Sequence, residues 1–183
     1  MRKILYLAIT STILFTSCTK NVSGTSGVFI NPLDIETAEE TGFLTPAVVF
    51  FPATAATNVG GGVTLDIHAM EVDSIAGSHI QVSYNKAKLT LLSLSQGSFY
   101  DGAPEMLFYY EDDTNLGLID IYSGFLGVDS SSVSGTGQLA SMVFTTISAG
   151  LSIVTFTVLS EFVDPQDNTI EILGYGVSEV VAE

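Results

Sequence analysis

The sequence predicts an all-β fold, a nine-stranded antiparallel β-sandwich of jelly-roll topology with almost no helix. Three observations carry that expectation. Short runs alternating apolar and polar residues recur along the chain from Pro46 onward. Each run is closed by residues that turn a chain, as in "NVGGG", "SIAGS", "DDTNLG" and "DPQDN". No long stretch repeats apolar side chains at the helical period, and Val, Ile, Thr, Ser, Gly and aromatic residues dominate.

The elements follow in order. Residues 46–51 ("PAVVFF") are the first strand candidate, where the pattern of the chain changes. In 62–70 ("GVTLDIHAM"), Val63, Leu65, Ile67 and Ala69 point one way while Thr64, Asp66 and His68 point the other. Residues 78–84 and 89–95 alternate around an Asn-Lys-Ala-Lys corner; Ile80, Val82 and Tyr84 face a core, leaving His79, Gln81 and Ser83 outside. The run 105–110 ends on Tyr109 and Tyr110, which as strand neighbours must point to opposite faces. In 117–123 ("GLIDIYS"), Ile119 and Ile121 go in while Leu118, Asp120 and Tyr122 go out. Residues 137–146, 151–159 and 170–177 complete the set, and no segment repeats at a fixed period.

Ahead of the sandwich the chain reads differently. "MRKILYLAITSTILFTSC" has a basic start at Arg2 and Lys3, an apolar Ile4–Phe15 stretch too short to span a bilayer, and small residues before the only cysteine, Cys18. This resembles a bacterial lipobox. It implies a signal peptide over 1–18, cleavage before Cys18, acylation of that residue, and a lipid-anchored protein in the periplasm or at the cell surface. Phe15 stands where a Leu is usual. Residues 19–45, polar and then acidic, are expected to form a tether with at most a helical turn over Leu33–Thr41, and residues 46–183 the sandwich domain.

Charge and composition narrow the function. With 20 acidic against 5 basic residues the net charge is −15, which repels nucleic acid and anionic head groups; the expected membrane contact is the lipid anchor alone. Catalysis finds little to work with. The two histidines, His68 and His79, fall at outward strand positions, no nucleophile motif accompanies them, and the acidic "EDDTN" run reads as a solvated hairpin loop. No enzyme activity and no cofactor are expected. Asp164, Asp167 and Asn168 offer hard oxygen atoms for Ca²⁺, but their spacing is turn chemistry rather than that of a calcium loop. A carbohydrate platform of aromatic rings is the other class open to a sandwich. The chain has no Trp, leaving Tyr100, Tyr109, Tyr110 and Tyr122 to supply stacking faces.

Three stretches share a resemblance. "GGGVTLDIHAMEVDSIAGSHIQVSYN", Lys88 to Phe99, and above all "VSGTGQLASMVFTTISAGLSIVTF" are similar to the cohesin family, whose modules bind dockerin modules in cellulosome-type assemblies. The resemblance runs from Pro46 to about Val177. It implies a non-catalytic module that binds a dockerin-containing protein, plausibly a polysaccharide-degrading enzyme, with the calcium carried by the dockerin. It also points to the face carrying His79, Gln81, Ser83, Leu118, Asp120 and Tyr122 as the docking surface, with Tyr122 as anchor and Gln81 a lesser contact. The fold's kinship with cellulose-binding modules keeps direct polysaccharide binding as the alternative. The sequence departs from the family at Asn85, where Asp is frequent, and at Gly77 and His79, where the best-studied dockerin binders carry Asn and Asp. Their specific contacts therefore do not transfer.

Overall fold

The computed structural model describes residues 33–36, 38, 42–101, 105–126 and 131–183. Cys18, the signal segment and the first part of the expected tether lie outside them. Among the described residues no helix is long and apolar enough to cross a membrane. The strands are β1 (Ala47–Phe51), β2 (Thr54–Thr57), β3 (Gly62–Ile75), β4 (Gly77–Ser83), β5 (Leu89–Gln96), β6 (Met106–Asp113) and β7 (Leu118–Phe125). Then follow β8 (Val133–Thr146), β9 (Gly150–Phe156), β10 (Glu161–Val163), β11 (Thr169–Ile170), β12 (Gly174–Tyr175) and β13 (Val177–Ala182). They make two sheets. The smaller has the order β12-β1-β3-β8-β5; the larger runs β11-β10-β4-β9-β13-β2, with β7 on the other edge of β4 and β6 beside β7.

The sandwich closes because each sheet has one apolar face. Leu65 and Ile67 of β3 with Met142 and Phe144 of β8 meet Ile80, Val82, Ile119, Ile121 and Val154 from the larger sheet, all at most 2% exposed. Phe50 and Phe156 stack across the core at 4.0 Å. Burying side chains of this size stabilises by roughly 1.5–3 kcal/mol each before conformational entropy is charged against it.

The all-β sandwich is as expected, and eight of the nine strands stand where the alternation placed them. The ninth does not persist. Residues 169–182 break into β11, β12 and β13 because the chain changes sheets: β12 pairs parallel with β1, and β13 pairs antiparallel with β9 and parallel with β2. Gly176 sits at that change, where a Cβ would lie 2.9 Å from Val49 Cα. The two parallel pairings correct the purely antiparallel expectation. β2 and β10 are additional short strands. β3 and β8 extend toward each other past the expected ends, with irregular register at Glu71 and Ser74, both at positive φ. There the Thr136 and Ser134 hydroxyls accept the freed backbone N–H groups and donate to Glu71 and Asp73.

Some residues ahead of β1 also reach the sandwich. Leu33, Ile35, Ala38 and Phe43 pack against Ala47, Val49 and Met70, forming a second small core on the outer side of the smaller sheet. Ala38 N–H donates to Asp34 O at 2.9 Å, a helical hydrogen bond that helps bring these side chains together.

Candidate functional site

The larger sheet turns its outer face to solvent, and pairing register alone sorts that face into rows. Tyr109 of β6, Tyr122 of β7, His79 of β4 and Glu161 of β10 stand side by side. Below them come Glu111, Asp120 and Gln81, then Asp113, Leu118, Ser83, Thr155 and Val177. The six residues read from the sequence as one face are therefore brought together, three on β4 and three on β7.

The rings of the first row are held against each other. His79 and Tyr122 stack at 4.6 Å with planes 6° apart, and Tyr109 follows at 6.3 Å and 26°. This geometry turns ring faces toward neighbouring strands rather than outward, which suits edge contacts to a protein better than a stacking platform for a sugar. The second row fixes the first. His79 Nε2–H donates to Asp120 Oδ1 at 2.7 Å, Gln81 Nε2 donates to the same oxygen at 2.8 Å, and Thr157 Oγ1 donates to Gln81 Oε1 at 2.8 Å. Gln81 is thereby only 9% exposed. This corrects its expected place as an exposed contact: it is a buried brace between Asp120 and the β9–β10 turn. Tyr122 keeps 36% of its surface exposed, Leu118 and Asp120 are half-buried, and Ser83 is intermediate.

Electrostatically the face is acidic. Glu111 and Asp120 lie directly opposite each other, a like-charge pair that costs stability unless donors offset it. The offsetting donors are Tyr109 Oη, 2.7 Å from Glu111 Oε1, and the His79–Gln81 pair on Asp120. The Glu111 carboxylate in turn raises the Tyr109 hydroxyl above its ordinary value, and partial desolvation with Asp120 nearby does the same for Tyr122. The two described lysines lie beyond the far end of β4, where Lys86 reaches Asn115 O and Lys88 reaches Leu151 O at 2.9 Å.

The sequence reading missed the aliphatic half of the face. Leu151 and Ile153 of β9 and Val177 and Val181 of β13 are 36–48% exposed; Leu151 pairs with Val181, while Ile153 faces Glu179 and Val177 faces Thr155. Ser152 between them points inward. That inversion, apolar out and polar in, hid the strip from a rule that sends apolar residues to the core. Glu111 was missed because its strand was ended at residue 110, whereas β6 continues to Asp113 and takes up the first half of the expected "EDDTN" loop.

The other candidates resolve structurally. His68 stands on the outer face of the smaller sheet beside Phe51, its pKa lowered by burial and partly restored by Asp66. Asp164 is occupied by its turn. Its Oδ1 accepts from Gln166 N and Asn168 N, and both its oxygens accept from Asn168 Nδ2, an arrangement that holds the carboxyl below the usual range. Among the described residues no cluster of three or more His, Cys, Asp or Glu side chains is placed to hold a metal. Asn85, where the family often has Asp, uses its side-chain oxygen to accept the Ala87 N–H in the corner after β4.

Comparison with known proteins follows this architecture. The model of the Cohesin domain family matches residues 48–178, well over half of the chain. A type II cohesin domain from the cellulosome of Acetivibrio cellulolyticus superposes with a TM-score of 0.64 at 14% identity, covering 74% of this chain and 95% of that one. A non-cellulosomal cohesin from the archaeon Archaeoglobus fulgidus gives 0.59 at 19% identity, over 74% and 92%. A type I cohesin–dockerin complex from Clostridium thermocellum gives 0.61 at 16% identity, over 75% and 94%. No curated protein matches the chain. With the family match running unbroken through β3 to β12, strands that build both sheets and most of the outer face, the chain belongs to the cohesin family.

Proposed function

We propose that this protein is a non-catalytic docking module that binds a dockerin-bearing protein through the outer face of its larger sheet. The observation that carries the reading is the composition and order of that face. A braced aromatic row, an acidic second row and exposed aliphatic residues lie on one continuous surface, whereas the outer side of the smaller sheet near β1 is covered by Leu33, Ile35, Ala38 and Phe43. Exposed apolar groups clustered among polar ones mark contact surfaces. Family membership supports the choice of partner, since solved relatives include complexes of cohesins with dockerins. In this reading the partner is a polysaccharide-degrading enzyme, its dockerin carries the calcium, and lipid on Cys18 holds the module at the cell surface.

One pull-down tests the docking. The domain is immobilised and offered the secreted proteins of its source cell, beside a panel of insoluble polysaccharides. The expected result is capture of a dockerin-bearing protein that is released by a chelator. Retention on a polysaccharide without any captured dockerin would replace docking with carbohydrate binding. Anchoring is tested separately: fatty-acid labelling should mark the wild type and not Cys18→Ser, and equal labelling of both would remove the anchor.

A further inference from the structure

A groove of about 480 Å³ opens at the end of the outer face, beside the aromatic row. Its floor lacks side chains because Gly77 of β4 and Gly124 of β7 are direct cross-strand partners and both line it. The gap is built in. A Cβ on Gly124 would stand 2.9 Å from Ala76 O and 3.0 Å from Gly77 Cα, so β7 accepts no larger residue there without shifting. Leu107 on one side and Val163 with Pro165 on the other give apolar walls, and the His79–Tyr122 stack closes one end. Glu161, Asp164 and Asp167 stand on the β10 side, and among the described residues no Lys or Arg lines the groove.

We infer that this groove receives a long cationic side chain, an arginine in preference to a lysine, from the partner protein. An aliphatic stem lies over the glycine floor between Leu107 and Val163, and the charged head reaches the carboxylates on the β10 side. A planar guanidinium suits the site better than an ammonium group because it also packs against aromatic ring edges and faces such as those of Tyr122. Charge complementarity selects this occupant. Glu161 and Asp167 add negative charge beside the turn-bound Asp164, and the domain's described lysines sit at the opposite end of β4. A neutral apolar side chain would fill the floor and leave the acidic side unpaired. The inference rests on the docking reading for the source of the arginine, and it adds a specificity pocket at a position where the family's best-studied members carry a polar side chain.

The test uses N-acetyl-arginine amide as probe and N-acetyl-citrulline amide, its neutral isostere, as control. Each is titrated into the ¹⁵N-labelled domain while amide shifts are followed. Arginine is expected to move the amides of Gly77, Gly124, Val163 and Leu107 in one saturable process, with citrulline binding about fivefold more weakly. Gly77→Leu, which fills the floor, should abolish the mapped shifts. Glu161→Gln, an exposed change that leaves the fold intact, should weaken arginine and leave citrulline unchanged. Equal binding of the two probes, or arginine shifts scattered over the acidic surface, overturns the inference. So does a Gly77→Leu variant that is folded yet unchanged in its response. Because no dockerin enters this titration, its failure beside a captured dockerin removes the pocket alone, and failure to capture a dockerin bears on the docking reading alone.

Discussion

Replacing Tyr122 by alanine is the sharpest perturbation of the docking face. About a third of the residue, 36%, is exposed and therefore available to a partner. An aromatic side chain buries roughly 150–250 Å² in all, so a partner can cover about 70 Å² more, worth about 1.7 kcal/mol at ~25 cal/mol per Å². A hydrogen bond from the hydroxyl adds about 1 kcal/mol. Tyr122→Ala should then cost about 2–3 kcal/mol, or about 30- to 150-fold in Kd. Tyr122→Phe keeps the area and should cost about fivefold. The assay is isothermal titration of the captured dockerin protein in saturating calcium, with circular dichroism to confirm that each variant is folded. Loss of the His79 stack costs the domain itself only about 1 kcal/mol, so folding is expected to survive. A folded Tyr122→Ala variant binding within about twofold of wild type would refute the reasoning.

Three further outcomes follow from the same contacts. Gln81→Ala removes the brace between Asp120 and Thr157 and should lower unfolding stability by about 1–3 kcal/mol in urea, where an exposed contact would leave the midpoint unmoved. A domain beginning at residue 46 loses Leu33, Ile35 and Phe43 from the second core and should lose about 2 kcal/mol or more; an unchanged melting temperature would mean that the segment adds nothing. Burial first, and then the hydrogen bond to Asp112, raise the Tyr84 hydroxyl well above its ordinary value of 10.0, so the native state holds that proton more tightly than the unfolded chain. The resulting stability is complete below pH 10 and is lost as pH rises beyond it; in alkaline unfolding Tyr84→Phe should lose less than wild type between about pH 10 and 12, and identical slopes would contradict the assignment.

Much of this architecture is legible in the chain because β3, β4 and β7 alternate without ambiguity. Val63, Leu65 and Ile67, then Ile80 and Val82, then Ile119 and Ile121 all lie buried, and the outward partners of the last two strands meet on one face. The reading faltered where a local pattern does not decide. "LSIVTF" in β9 is apolar on both sides, so Leu151 and Ile153 could not be assigned outward without knowing that Ser152 packs inside. The last strand reads as continuous because a change of sheet at Gly176 leaves no mark in hydropathy. Parallel pairing of β1 with β12 joins residues far apart in sequence and carries no turn signature. Gln81 looked like an exposed polar residue, and only its third partner, Thr157 from a distant turn, shows it to be a brace. Phe43 and Leu33 looked like tether residues because the segment around them is polar and acidic, and no local pattern marks their contacts with Ala47, Val49 and Met70.

The central claim is the location of docking, and hydrogen exchange of the domain with and without its captured dockerin protein tests it most directly. The account expects slowed exchange at the solvent-exposed segments that frame the outer face, β6, the end of β7 and the 157–161 turn, with β5 and the Glu71–Ser74 bulges unchanged. Protection centred on β5 and the smaller sheet, with the β6–β7–β4 face unaltered, would contradict it.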